Sequence, residues 1–319
     1  MSHLQVSQEN AVVRDTVARR VKAVLGKATK GEVFDVKIPE FDEVYYNIKA
    51  EKNVPHKVTL SLALPKGIPL PTGAAQVVKQ SYDALAADCV GVRSPSERGY
   101  DLTVECDLSK IQSEEQGALF CSKISMLRSL VQCIPLRKIL TDLNQGKSTE
   151  KQATCIRYKR KRAMYVKPLV DSVVVVFPVH FEDENDATLA VNFLQHFAET
   201  KRTQQNLANS PSCAYHLNPP LEVQEGMRSD STALSGDDKA NGGYMSFSLF
   251  SRHVNTADKV DSVAWKMCTF YSFISYHIKA SKGHIQSRMR TKADDWLDVL
   301  AKAKAAPPKK QPKTIRLQG

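Results

Sequence analysis

The sequence predicts an α+β fold in which two similar α/β domains are followed by a very long C-terminal helix. Alternating apolar and polar residues mark short strands in both halves of the chain. Apolar residues spaced by three and four mark helices between and after those strands. The order β-β-β-α-β-α occurs once in each half. Because antiparallel hairpins with helices on one face produce this order, an α+β class is favoured over a doubly wound parallel sheet.

A polar stretch, NQGKST at residues 144–149, separates the two predicted domains. The predicted organisation is a first α/β domain at residues 1–147, a second at 148–256, a long helix at 257–306 that continues the second domain, and a basic disordered tail at 307–319.

The first domain is predicted to open with a helix that ends before Gly26 and to close with a longer helix that Pro135 kinks or divides. Its elements are a helix at 7–25, strands at 32–38, 43–49 and 57–64, a helix at 74–87, a strand at 100–107 and a helix at 113–143.

The second domain repeats this order, and the acidic run EDEND suits the N-terminus of its first helix. Residues 224–242 are polar and are interpreted as a long loop. The predicted elements are strands at 153–158, 163–167 and 172–181, a helix at 186–202 and a strand at 243–250.

The stretch 257–306 contains no Pro, and its only Gly is Gly283. A helix of this length would extend roughly 75 Å, more than twice the width of an ordinary domain of about 30 Å. One apolar stripe follows it, and much of that stripe must extend past its own domain. An apolar stripe in water favours a partner chain. Ser281 and Arg288 interrupt the stripe, so a regular coiled coil is not predicted.

Net charge in this chain of 319 residues is +11 and is unevenly spread. Residues 257–319 hold 13 Lys and Arg against 5 Asp and Glu. From Ser262 to Ala293 there is no carboxylate at all. Like charges at helical spacing are unfavourable without a counterpart, so an acidic partner is predicted: a protein face, a nucleic acid or an anionic membrane.

Several function classes lack support. No phosphate-binding loop, dinucleotide fingerprint, zinc-protease motif or nucleophile elbow occurs, so no enzyme is predicted. The acid run at 182–186 is interpreted as a helix-capping turn rather than a cation site. The basic run YKRKR at 158–162 suits a hairpin turn or an acidic ligand. Seven scattered Cys without a CxxC pair, and no signal peptide, favour the cytosol.

Three C-terminal motifs closely resemble the subunit 2 family of the actin-related protein 2/3 complex: GYMSFSLFSRH (243–253), YHIKASKGHIQSRMRTK (276–292) and DWLDVLAKAK (295–304). Upstream motifs resemble the same family in the same order: FDEVYYNI (41–48), GYDLTVECDL (99–108), MYVKPLVDSVVVVF (164–177) and PPLEV (219–223). The resemblance is weaker in the first 30 residues, at 65–73 and at 224–242.

The resemblance implies a non-catalytic scaffold without cofactor or metal. Members of that family pair with subunit 4 through their long helices, in a seven-subunit assembly that holds actin-related proteins 2 and 3. The pair contacts filamentous actin, and the complex starts a branch. The expected location is the cytoplasm and its actin cytoskeleton, with no nucleic acid and no transmembrane segment.

Residue roles follow from the same motifs. Candidates for filament contact are Lys279, Lys282, Arg288, Arg290 and Lys292. Candidates for the subunit interface, or for docking onto the chain's own domains, are Phe270, Ile274, Ile278, Ile285, Trp296 and Leu300. Charge reversal at Arg288 and Arg290 is expected to weaken filament binding and branching but not assembly.

One alternative of a different class is a nucleic-acid or anionic-lipid binding protein that uses the basic helix. Aromatic residues interleaved with the cations would favour nucleic acid, and none occurs from Lys279 to Lys292.

Overall fold

The computed structural model describes residues 6–27, 32–159, 161–229 and 240–302. The first half of the chain comprises α1 (Ala11–Leu25), β1 (Phe34–Glu40), β2 (Val44–Ala50), β3 (Lys57–Ala63), α2 (Ala74–Asp83), β4 (Val90–Val92), β5 (Leu102–Asp107), α3 (Glu114–Ser125), α4 (Leu127–Gln132) and α5 (Ile134–Asn144). The second half comprises β6 (Thr154–Lys159), β7 (Arg162–Pro168), β8 (Ser172–Pro178), α6 (Glu184–Thr203), β9 (Ser212–His216), α7 (Leu221–Ser229), β10 (Tyr244–Phe250), α8 (Ala257–Cys268) and α9 (Phe270–Lys302).

Two five-stranded antiparallel sheets form the framework, and their strand orders correspond: β1-β2-β3-β5-β4 and β6-β7-β8-β10-β9. The predicted α+β class with a long C-terminal helix is therefore confirmed. Each sheet contains one edge strand that the sequence analysis missed, β4 and β9. Strand β4 has only three residues, too few to show alternation.

In the first half, one sheet face packs under helices. The register aligns Ile48, Leu60 and Val104 across β2, β3 and β5. These side chains share a core with Val13 and Val17 of α1. The helix predicted at 7–25 begins at Ala11, because the Asn10 side chain caps it by accepting a hydrogen bond from the backbone N–H of Val13 at 3.1 Å.

In the second half, both sheet faces are covered. Val166, Val175 and Phe247 align across β7, β8 and β10 on the side that faces α5, α6, α8 and α9. Helix α7 covers the other face, where Val223 packs on Val174 and Val176. Helix α7 also corrects the predicted loop at 224–242, since residues up to Ser229 are helical.

Helix α5 packs in the core of the second half, here called the second core, although it precedes the domain boundary predicted between residues 147 and 148. Its buried side chains there are Leu136, Leu140 and Leu143. The boundary itself falls between α5 and β6 and stays a prediction.

Both long predicted helices are broken in the structure. The helix predicted at 113–143 is three helices, and the last division falls at Cys133, just before Pro135. The prediction of one helix at 257–306 is wrong at Thr269, which separates α8 from α9 with φ −105° and ψ 1°. Its hydroxyl donates to the carbonyl of Trp265 at 2.8 Å, a side-chain bond that competes with regular helix. Helix α9 is described to Lys302, and the predicted tail lies outside the described residues.

Arg128 of α4 is 1% exposed, and its guanidinium reaches the second half at the Trp265 ring of α8, 5.5 Å away. Its guanidinium lies 3.2 Å from Glu40 and 3.5 Å from Asp42, and it stacks on the Phe41 ring at 3.9 Å. Asp42, held at φ 60° in the β1–β2 turn, also accepts a hydrogen bond from Ser272 of α9 at 2.5 Å. Because one buried carboxylate bonds to α4 and α9, the direction of α9 is fixed by the first half as well as the second.

Candidate interaction surface on the C-terminal helix

Helix α9 consists of two segments with opposite environments. Residues 270–282, the anchored segment, carry the buried side chains of the helix, and residues 283–302, the exposed segment, are all exposed. The exposed segment alone is roughly 30 Å long at the α-helical rise. The helix therefore begins in the core and ends as a projection.

Aromatic contacts fix the start of the anchored segment. The Phe270 ring lies 4.8 Å from the rings of Phe177 and Phe247. The Tyr271 hydroxyl donates to the carbonyl of His180, and its ring stacks on Phe181 at 5.6 Å. Burial raises the pKa of the Tyr271 hydroxyl. These rings place α9 against β8 and β10.

The predicted interface residues fall into two groups. Phe270, Ile274 and Ile278 are buried in the second core. Of the two roles predicted for them, these three residues dock the helix onto the chain's own domain. Ile285, Trp296 and Leu300 are exposed. Met289 is also exposed and belongs to the same stripe. In the order Ile285, Met289, Trp296, Leu300 the spacings are four, seven and four residues, which keeps all four side chains within about 60° of each other around the helix axis. Met289 was not among the predicted interface residues, although its spacing from Ile285 and Trp296 is the available signal.

Lys282 closes the anchored segment. Its ammonium lies 2.6 Å from Asp183 and 2.8 Å from Asp186 at the N-terminus of α6. The hydrogen bond from Lys282 lowers the pKa of Asp183, and the same bonds raise the pKa of Lys282. Asp183 also accepts from the backbone N–H of Asn185 at 2.8 Å. The predicted capping turn is present, and the counter-charges of Lys282 lie within this chain.

The other four predicted filament-contact cations are exposed: Lys279, Arg288, Arg290 and Lys292. They do not share one face. Arg288 and Arg290 point about 160° apart, whereas Lys279 and Arg290 lie within about 20° of each other. Lys292 pairs with Asp295 at 3.1 Å, with both groups well exposed, so that pair contributes little.

Lys279 lies at a cavity of about 610 Å³ at the junction of the two halves, which Lys66, Lys159 and Lys161 also line. Lysines from the hairpin turn predicted at YKRKR thus meet the basic helix. Lys159 is paired with Glu43 at 2.7 Å. Glu43, Glu182, Asp183 and Asp186 also line this cavity, so its charge is mixed, and Arg290 lies on the same flank of α9 as Lys279.

Among the described residues, no group of three or more His, Cys, Asp or Glu side chains is arranged to hold a metal ion. Within those same ranges, none of the helices combines the length and the apolar character needed to span a membrane.

Comparison with known proteins gives one family. The model of "Arp2/3 complex, 34 kD subunit p34-Arc" matches residues 68–307. Actin-related protein 2/3 complex subunit 2A of Arabidopsis thaliana is 30% identical over 274 residues, covering 83% of this chain and 81% of that protein. Subunit 2 of Dictyostelium discoideum is 28% identical over 281 residues, covering 86% and 87%. Subunit 2B of Arabidopsis thaliana is 27% identical over 283 residues, covering 86% and 72%.

Proposed function

Because this chain belongs to the p34-Arc family, the 34 kD subunit of the Arp2/3 complex, we propose that it is a non-catalytic scaffold that binds the side of an actin filament and supports branched nucleation. The observation that carries the proposal is helix α9: its exposed segment presents an apolar stripe, and on a different side Lys279 and Arg290 have no ion-pair partner among the described residues. Its place of action is the cytoplasmic actin cytoskeleton.

The apolar stripe is the proposed contact for a second scaffold subunit, the one that the family resemblance identifies as subunit 4. Trp296 is 63% exposed, and a large aromatic in this position is typical of an interface anchor. A partner helix laid along Ile285, Met289, Trp296 and Leu300 would bury them as the core buries Ile274 and Ile278. Actin-related proteins 2 and 3 would then be held by the paired scaffold.

The filament contact is proposed for the flank that carries Lys279 and Arg290. This flank lies roughly 100° from the centre of the apolar stripe, so a partner helix on the stripe would leave it open. Actin filaments are acidic, and an exposed basic flank would both attract and orient them. Arg288 lies on the opposite flank, so the two arginines are separable by mutation.

The test uses the reconstituted complex and two pairs of variants. Lys279→Glu with Arg290→Glu is expected to lower filament co-sedimentation and branch density at least tenfold while the complex still assembles. Lys110→Glu with Lys138→Glu, exposed lysines elsewhere, changes the net charge equally and is expected to have little effect. Arg288→Glu alone is expected to cost less than the Lys279 and Arg290 pair.

Assembly is tested separately. Trp296→Ser with Leu300→Ser is expected to abolish co-purification with the second scaffold subunit, whereas Val12→Ser, an exposed apolar residue on α1, is expected to leave it unchanged. Normal branching by both charge-reversal and stripe variants would overturn the proposal. The alternative is a protein that binds nucleic acid or anionic lipid. It would be favoured if the chain bound nucleic acid or anionic vesicles and these variants left filament co-sedimentation and branch density unchanged.

A further inference from the structure

A cleft of about 560 Å³ opens between α6, α8 and the β9–β10 edge of the second sheet. Its walls are mostly apolar: Phe193, Phe197, Phe247, Val263, Met267 and the thiol of Cys213. The volume falls within the range of about 300–1,000 Å³ that is usual for ligand pockets. The cleft lies on the globular part of the chain, away from the exposed segment of α9.

The aromatic wall is fixed in place. The Phe197 ring meets Phe247 edge-on at 6.2 Å and Phe270 at 6.1 Å. Phe193 stacks on His277 at 6.1 Å with an angle of 9° between the rings. A side chain that enters the cleft would therefore contact a preorganised surface, and little conformational entropy would be lost on binding.

The charges at the cleft are of one sign. Its lining contains Lys201 and Lys266 and no carboxylate. The Lys201 ammonium donates to the carbonyls of Leu207 and Ala208, which hold it in place without neutralising it. Within the described ranges, no carboxylate lies at salt-bridge distance from Lys201 or Lys266.

Two other charged cavities differ in this respect. At the junction of the two halves, Lys159 is paired with Glu43, and Asp183 and Asp186 lie nearby. On the first sheet, Lys49 is paired with Glu97 in a cavity that also holds Glu51 and Glu105. The α6–α8 cleft combines an apolar floor with two lysines that have no carboxylate partner among the described residues.

We propose that this cleft binds an acidic peptide segment of a partner protein, which inserts one large apolar side chain between the phenylalanines and Val263. Carboxylates on the two sides of that side chain pair with Lys201 on α6 and Lys266 on α8. A peptide is favoured over a single-headed amphiphile because the two cations stand on different helices and need two anionic groups. This inference does not depend on the filament contact proposed above.

The probe is a fluorescein-labelled peptide, DDDWDDD, titrated against the full chain and followed by fluorescence anisotropy. Saturable binding is expected, and replacing the tryptophan of the peptide by alanine is expected to weaken it at least tenfold. A KKKWKKK peptide is expected not to bind. Sodium laurate, an anionic amphiphile, is expected not to displace the acidic peptide.

Variants of the chain locate the site. Lys266→Glu is expected to weaken binding at least tenfold, and Lys259→Glu, an exposed lysine on α8 outside the cleft, is expected to leave it within twofold. Val263→Phe fills the cleft and is expected to abolish binding, with an unchanged unfolding midpoint as the check on folding.

Three results would overturn the proposal. The first is no binding of the acidic peptide to the unmodified chain. The second is equal weakening by Lys266→Glu and Lys259→Glu, which would mean attraction to the overall net charge of +11. The third is displacement of the peptide by laurate at comparable concentration, which would assign the cleft to a lipid-like anion.

Discussion

The two segments of α9 both carry apolar residues at helical spacing, but their surroundings are opposite. In the anchored segment, Ile274 is 0% exposed, whereas Ile285, eleven residues later, is 39% exposed. Both belong to a series of apolar residues at helical spacing. The difference teaches that spacing specifies which side of a helix is apolar, whereas burial depends on whether the domain extends that far.

The largest effect expected from this comparison concerns stability. Ile274→Ala is expected to lower the free energy of unfolding by about 2–5 kcal/mol, because it leaves a cavity in the second core. The same change at Ile285 is expected to stay within about 0.5 kcal/mol, because that side chain belongs to no core cluster of the described residues and leaves no cavity. Urea unfolding of the full chain measures both. Equal losses would contradict the division of α9 into two segments.

Gly283, the first residue of the exposed segment, allows a smaller change that affects the stability of that segment alone. A Cβ atom added there would meet nothing within 4 Å, and alanine is the better helix former by about 1 kcal/mol. Gly283→Ala is therefore expected to slow amide hydrogen exchange in the exposed segment and leave residues 270–278 unchanged.

Gly117 supplies the control for that experiment. A Cβ atom at Gly117 would lie 2.7 Å from Cγ1 of Val21, so Gly117→Ala is expected to destabilise the chain by roughly 1–3 kcal/mol. Weaker assembly of the complex with Gly283→Ala would mean that a partner approaches the helix backbone at this residue.

The smallest expected effect is on pH dependence at the junction of the two segments. The pKa of Asp183 is lowered mainly by the hydrogen bond from Lys282. A lowered carboxyl pKa in the folded state stabilises the fold above the unfolded pKa of about 3.9, and that contribution is lost as pH falls through the folded value. Amides around Lys282 are expected to exchange faster in acid, after correction for the intrinsic rate.

Two other carboxylates near Lys282 contribute to the same pH experiment. Asp186 shares the ammonium of Lys282 at 2.8 Å, and Glu184 lies beside it in the first turn of α6. Lys282→Met removes the cation and is expected to remove the acid-dependent change. An unchanged pH profile in Lys282→Met would show that another group in the capping turn is responsible.

The fold was largely predictable because strands and helices of ordinary length carry their periodicity in the sequence. Strand β3 alternates over Val58, Leu60 and Leu62, and the structure buries all three. Strand β4 has only three residues, and helix α7 follows a proline pair and has only two apolar residues at helical spacing, Val223 and Met227. Those two elements were missed because short segments do not show a period.

The candidate surface was predictable only in composition. The cations of 279–292 and the apolar stripe are evident in the sequence. That Lys282 has its counter-charges on α6, 96 and 99 residues earlier, was not predictable, because charge composition does not give contacts between distant segments. The break at Thr269 was also missed, since a single threonine in a helical pattern is usually tolerated.

The sequence by itself determined the α+β class, the duplicated order of elements, the basic C-terminal region and the resemblance to one family. These properties depend on residue type and local spacing, which a linear chain contains in full. Only the tertiary structure decided how α9 is divided between the core and solvent, which lysines lack a counter-charge among the described residues, and where an apolar cleft lies beside two of them. Each of those depends on which distant segments pack together, and packing is a property of the folded chain as a whole.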